Sequence, residues 1–270
     1  MTQAITIVQV DTFTKKPFQG NPAVVCFLAT KMPDEWMLHV SQEINLSETA
    51  FLLPYQDGWD LRWFSPTVEV DLCGHATLAS AHALWETARL APTAEARFHT
   101  RTGVLVARQA DGWIEMDFPS MGVKPTTARA SFWAAMGLAA TPIYKGGQDL
   151  FIPLPHEQAV RDLKPDFVQL LGTTDVRGIA VAAPSQDRQY DFVFRFFAPN
   201  IGINEDSATG SVHCYLAPYW ATVLNKTSLR AYQLSTRTGR VRTTVRPNRV
   251  LIGGQAVTVM KGELAALLVS

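Results

Sequence analysis

The segment Arg62-Trp63-Phe64-Ser65-Pro66 returns 133 positions later as Arg195-Phe196-Phe197-Ala198-Pro199, and this repeat narrows the possible folds of the 270-residue chain more than any other feature. Each copy runs on through small or branched apolar residues to an acidic residue. A turn of small residues follows, and then a long apolar stretch of helical length. The first turn reads Asp71-Leu72-Cys73-Gly74-His75-Ala76-Thr77; the second reads Glu205-Asp206-Ser207-Ala208-Thr209-Gly210-Ser211, with a one-residue slip after the proline. Two unrelated strand–turn–helix units could match by chance. Five paired positions in matched context favour duplication, and so a chain of two related halves.

A chain of this length is also more than one compact core usually needs. The halves are expected at residues 1–120 and 121–270, with the final strand free to cross back to the first half. Pro119–Pro125, polar and bounded by prolines, is the expected linker.

Period-two and β-branched runs dominate the pattern and predict strands. In the first half they are Ile5–Thr12, Ala23–Leu28, Thr49–Leu53, Leu61–Phe64, Val104–Arg108 and Trp113–Phe118. The second half offers Leu150–Leu154, Gly178–Ala183, Tyr190–Phe197, Leu229–Ser235, Arg240–Val245, Val250–Ile252, Ala256–Met260 and Glu263–Val269. Helices are few. Pro33–Glu43 places Trp36 and Val40 on one side, and Ser131–Leu138 and Gln158–Leu171 read as short peripheral helices, the latter broken at Pro165. Ala76–Leu90 and Gly210–Leu224 are nearly all apolar, as helices packed inside sheet would be, with Pro218 expected to bend or end the second. Many strands with two buried helices make an α+β or barrel-like fold rather than a βαβ alternation.

Charge and motifs exclude several function classes. Lys plus Arg and Asp plus Glu are both 24, which removes the long-range basic field that nonspecific nucleic-acid binding needs. No apolar run reaches the roughly 18 residues that span a bilayer, and the first residues lack the pattern of a secretory signal. The 3 cysteines, Cys26, Cys73 and Cys214, are odd in number and scattered, which argues against a disulfide framework and fits a reducing cytoplasm. With no glycine-rich phosphate loop, a nicotinamide or nucleoside triphosphate cofactor is not indicated. No HxxxH or HExxH spacing supports zinc, so His82 and His213 read as core or interface histidines, and no metal site is expected.

The two turns are where chemistry is expected. Each joins a strand to the start of a buried helix, where free N–H groups and the helix dipole favour a small anion. Polar groups gather there: Cys73, His75 and Thr77 in one turn, Asp206, Ser207, Thr209 and Ser211 in the other. Each has a plainer reading. His75 can cap the helix, Cys73 can be a small buried hydrophobe, and Asp206, Thr209 and Ser211 can be turn or capping chemistry. Glu48, just before an apolar strand, read alone is a surface charge.

Gln9-Val10-Asp11-Thr12-Phe13, Phe18-Gln19-Gly20-Asn21-Pro22-Ala23-Val24-Val25 and Asn45-Leu46-Ser47-Glu48-Thr49-Ala50-Phe51 resemble the opening of the phenazine-biosynthesis PhzF-like family. The two turn segments resemble that family's central motifs, so the likeness spans nearly the whole chain. It implies the diaminopimelate-epimerase-like fold, with two pseudo-symmetric halves, each a barrel-like sheet around a central helix, and an active site in the cleft between. It further implies cofactor-independent proton transfer on a small anionic metabolite in a cytoplasmic homodimer. By resemblance Glu48 carries the proton, and His75 and Asp206 position and relay. Ser211 holds the anion with the turn residues Cys73, Gly74, Ala76, Thr209 and Gly210. Epimerases of this fold use a cysteine from each turn; here Ser207 stands near the second position, where family members commonly carry proline. A hydroxyl is a far poorer base than a thiolate, which disfavours a two-thiol mechanism. The alternatives are a one-thiol epimerase or racemase using Cys73, and a non-catalytic ligand- or protein-binding member of the fold.

Overall fold

The computed structural model describes residues 4–265. The chain forms two compact units, residues 1–117 with 253–270, and residues 118–252. The first unit opens with β1 (Ile5–Thr12), β2 (Asn21–Phe27), α1 (Asp34–Ile44), β3 (Thr49–Tyr55), β4 (Gly58–Phe64) and β5 (Glu69–Val70). It continues through α2 (Gly74–Glu86), β6 (Ala96–Thr100), β7 (Gly103–Ala110) and β8 (Trp113–Pro119). The second unit holds β9 (Val123–Thr126), α3 (Ala130–Met136), β10 (Ile143–Gly146), β11 (Asp149–Pro153), α4 (Glu157–Asp162), α5 (Phe167–Leu170), β12 (Gly178–Pro184) and β13 (Phe192–Phe197). After a single 3-10 turn at Pro199–Ile201 come α6 (His213–Leu224), β14 (Ser228–Gln233), β15 (Gly239–Val245) and β16 (Arg249–Gly254). The chain then returns to the first unit with β17 (Ala256–Leu264).

The duplicated sequence is a duplicated topology. In the first unit β2 runs parallel to β3 across the α1 crossover, β3 is antiparallel to β4, and β4 is parallel to β6 across the turn and α2. In the second unit β11 runs parallel to β12 across α4 and α5, β12 is antiparallel to β13, and β13 is parallel to β14 across the turn and α6. The repeated arginines occupy matching places. Arg62 makes a two-point bond to Glu69, and Arg195 makes one to Glu205. This mixed sheet with few helices is the α+β class.

Both long apolar helices are buried. Nearly every residue of α2 is buried, and it packs against β1, β2, β3, β7 and β17. Its first three turns are mostly small residues, which lets strands approach closely: a Cβ added to Gly254 would come within 2.6 Å of Leu78 and Phe13. In the second unit α6 packs against β14 and β15, and its Tyr215, Tyr219 and Trp220 pack on Phe151 and Phe192. β2 and β12, each with a parallel neighbour, are buried almost end to end, whereas β8 alternates.

Several expectations need correction. Of the two expected effects of Pro218, ending the helix does not occur: α6 continues to Leu224, and the carbonyl of Cys214, which would have paired with a residue-218 N–H, accepts instead from Met121 N at 2.8 Å. It begins at His213 rather than Gly210, so Gly210, Ser211 and Val212 form a turn before it. Helix α2 stops at Glu86, where Ala88 takes a left-handed φ of 55° and the N–H groups of Arg89 and Leu90 both turn back to Leu84 O. The expected linker at Pro119–Pro125 is partly strand, since β9 pairs antiparallel with β10. The two expected final strands are one, β17, paired along β1 through Lys261 and Gly262 with a bulge opposite Gln9 and Val10. The remainder of the expected Glu263–Val269 strand, after residue 265, lies outside the described residues. No described helix is long and apolar enough to cross a membrane.

Candidate active site

In the first unit the start of β3 and the start of α2 bring Glu48, Cys73, Gly74, His75 and Ala76 together. Cys73 is the N-cap residue of α2, extended at φ −138°, and supplies no side-chain cap. The N–H groups of Gly74, His75 and Ala76 have no acceptor among the described residues. Thr77 turns its hydroxyl inward, donating to Cys73 O at 2.6 Å.

His75 is not a cap; its ring organises the site. Nε2 lies 3.2 Å from Glu48 Oε2 and 3.4 Å from Ser47 Oγ. Nδ1 lies 3.3 Å from Asn21 Nδ2 and 3.5 Å from Cys73 Sγ. An amide nitrogen only donates, so the Asn21 contact suits the tautomer that carries its proton on Nε2, facing the glutamate. Glu48 is half-buried against the imidazole rather than a free surface charge.

By donor type and distance, Glu48, Cys73 and His75 form a group that could hold a metal ion, their ligand atoms lying within 4.8 Å of one another. Thiol and carboxylate, however, sit against opposite nitrogens of one imidazole. The three ligand atoms still converge, so the trio has the spacing of a ligand set as well as that of a hydrogen-bonded group.

In the second unit the turn before α6 collects Asp206, Thr209, Gly210 and Ser211. Thr209 Oγ1 donates to Asp206 Oδ2 at 2.5 Å. Gln233, fully buried on β14, accepts from Thr209 N at 2.6 Å and donates to Asp206 O at 2.7 Å, pinning the turn at two places. Ser235 donates to Ser207 O. The N–H groups of Gly210, Ser211 and Val212 have no acceptor among the described residues. Ser211 Oγ accepts from Arg177 Nη2 at 3.2 Å. Arg177 is itself fixed by Asp149, with Nε to Oδ1 at 2.9 Å and Nη2 to Oδ2 at 2.6 Å, while Tyr215 donates its phenol to Oδ2 at 3.1 Å. Burial, with Asp149 beside it, raises Tyr215 well above the ordinary phenol range, so it stays protonated and keeps its donor.

The two histidines inside the long helices, His82 and His213, have structural partners. Burial holds fully buried His213 down to about 4, and its Nδ1 donates to Gly210 O at 3.1 Å. His82 pairs with Glu86 on the next turn of α2 and with Thr258.

Sequence reasoning missed Gln233, Ser235, Arg177, Asp149 and Tyr215, each 24 or more positions from its partner in this network. Nothing local marks them, since they pair only once separate strands meet. Asn21 and Ser47 lay inside recognised motifs, but their contacts with His75 are tertiary.

The sequence profile of the phenazine biosynthesis-like proteins, PhzC-PhzF, matches residues 10–262. An uncharacterized isomerase of Halalkalibacterium halodurans is 48% identical over 98% of this chain and 99% of its own length. The crystal structure of a PhzF-family phenazine biosynthesis protein from Enterococcus faecalis superposes with a TM-score of 0.92 at 38% identity, covering 98% of this chain and 100% of that one. A predicted epimerase from Pseudomonas aeruginosa, at 21% identity over 97% of this chain and 99% of its own, shares the fold with a TM-score of 0.76. The profile match and the identity of these relatives over nearly their full lengths establish that the chain belongs to the phenazine biosynthesis-like family.

Proposed function

We propose that this protein moves a proton between carbons of a small carboxylate-bearing metabolite, with Glu48 as the acid/base and no cofactor. The chain is an isomerase-type enzyme, as its likeness to a relative named isomerase supports. One observation carries the finer reading: the Glu48 carboxylate lies 3.2 Å from His75 Nε2, beside a helix start whose N–H groups have no acceptor among the described residues.

A C–H bond next to a carboxylate-bearing carbon is weakly acidic, and breaking it leaves its electron pair as an enolate-like charge. The unpaired N–H groups at Gly74–Ala76 and Gly210–Val212 are suited to that charge or to the substrate carboxylate, because preorganised donors need no reorientation as charge develops. Glu48 takes the proton and returns it at another carbon, so atoms and electrons balance without an oxidant. His75 steadies the carboxylate by donating from Nε2, and Asp206, locked by Thr209, positions the substrate with Ser211. The family likeness also supports a homodimer, to be checked by light scattering.

The test is solvent exchange. Candidate carboxylic acids are incubated with enzyme in deuterated water and followed by NMR. Exchange is expected with the wild type and lost in Glu48→Gln; undiminished exchange in that variant overturns the role of Glu48. A second reading has its own support in the 3.5 Å approach of Cys73 Sγ to His75 Nδ1, which allows a one-thiol epimerase. Unaltered turnover in Cys73→Ala dismisses it.

A further inference from the structure

We propose that Arg177 contacts the substrate, binding a carboxylate group through its Nη1 edge together with the Ser211 hydroxyl; this rests on the reading of the substrate as an anion. The argument begins with the repeat. Glu48 immediately precedes β3, and Arg177 immediately precedes β12. Each strand then pairs antiparallel with the one carrying the repeated arginine, Phe51 opposite Arg62 and Val181 opposite Arg195. Aligning the two units on those arginines makes Arg177 correspond to Ser47, one residue from Glu48. Both turns also carry a glycine followed by a polar residue, Gly74-His75 and Gly210-Ser211. In the first unit the residues before the strand, Ser47 and Glu48, touch His75. In the second the residue before the strand, Arg177, touches Ser211. The duplication has placed a base at one strand–turn junction and a cation at the other.

The local geometry is that of a held, partly spent cation. Asp149 engages Nε and Nη2 and leaves Nη1 without a partner among the described residues. The Arg177 side chain is 31% exposed while that of Asp149 is 2% exposed, so a buried carboxylate anchors a partly accessible guanidinium. The Phe196 ring lies 5.3 Å beneath the guanidinium and restricts it further. Tyr215 donates to the same carboxylate and draws off part of its charge, so Asp149 orients Arg177 without wholly neutralising it. Because Ser211 Oγ accepts from Nη2, its own proton remains to be donated. An Nη1 edge and a hydroxyl proton side by side present two donors to a planar carboxylate, an arrangement that lysine cannot reproduce.

The test uses the full chain and malonate as a carboxylate probe, titrated by calorimetry at low ionic strength. Wild-type protein is expected to bind, and Arg177→Gln to weaken binding about tenfold or more, the usual scale of a charge-assisted pair. Because Arg177→Gln strands the buried Asp149 carboxylate, Arg177→Gln/Asp149→Asn is made alongside it and should show the same loss with the fold intact. Adding Arg177→Gln to Ser211→Ala should weaken malonate beyond Ser211→Ala alone. No binding by the wild type, unchanged affinity in either Arg177 variant, or no further loss in the Ser211→Ala background overturns the proposal. The last outcome would leave Arg177 only orienting Ser211. Solvent exchange in Glu48→Gln reads the proton-transfer proposal and malonate titration of the Arg177 variants reads this one, so a failure of either is separately visible.

Discussion

Replacing Gln233 with leucine tests whether the second turn is held from beneath by one buried amide. The side chain is fully buried; it accepts from Thr209 N at 2.6 Å and donates to Asp206 O at 2.7 Å and Thr209 Oγ1 at 3.3 Å. Leucine is nearly isosteric, so packing changes little and the cost is polar. Thr209 N–H is buried and loses its acceptor; Asp206 O belongs to a half-buried residue and can recover water. At about 1–3 kcal/mol for each stranded group, discounted for that rehydration, the loss should be about 2–4 kcal/mol. For a chain of this size that is a fall in Tm of roughly 5–15 °C. Urea unfolding should show the midpoint moving down with an unchanged m-value, and the solvent-exchange rate should fall because the same turn carries Asp206 and Ser211. Gln233→Glu should be worse at pH 8, since it keeps an acceptor for Thr209 but buries a charge near Asp206. It should recover as pH falls and the new carboxyl protonates. A loss below about 0.5 kcal/mol in Gln233→Leu would refute the premise that the buried amide pins this turn.

Other outcomes follow from burial and crowding. His213 is held near 4 in the folded chain by burial, so the unfolded state takes up its proton first. Its contribution is complete above the ordinary histidine range and is lost as pH falls from about 6.5 toward 4, on the order of 3 kcal/mol. Urea unfolding across that window should be steeply pH-dependent in the wild type and flatter in His213→Leu. Burial pushes the Cys26 thiol up to about 12 and the Cys214 thiol to about 11. Iodoacetamide at neutral pH should therefore label Cys73 first, as mass spectrometry of peptides would show; equal rates at all three would contradict the thiol–imidazole contact. Gly254→Ala drives a methyl to within 2.6 Å of Leu78 and Phe13 and should cost about 1–3 kcal/mol in thermal unfolding; a neutral result would mean that α2 can shift.

Strand identity was readable in the chain because alternation and β-branched runs report a local backbone period. Expected Ile5–Thr12 coincides with β1, and the expected strands at Thr49–Leu53, Gly178–Ala183 and Arg240–Val245 lie within β3, β12 and β15. The repeat announced two related turn–helix units, since neighbouring residues carry that pattern. The short strands β5, β9 and β10, of two to four residues, were not readable; too few positions alternate to separate them from loop. Nor was the fate of Pro218, because what rescues the Cys214 carbonyl is Met121, ninety-three positions earlier in the chain. The candidate site divides along the same line. Glu48, His75, Asp206 and Ser211 stand in contiguous motifs and could be named from them. The contacts of the His75 ring, the grip of Gln233 on the second turn and the pairing of Arg177 with Asp149 and Ser211 came only from tertiary structure. Hydrogen bonds act over about 3 Å of space and take no account of distance along the chain, so residues with no local signature become partners only when the strands that carry them meet.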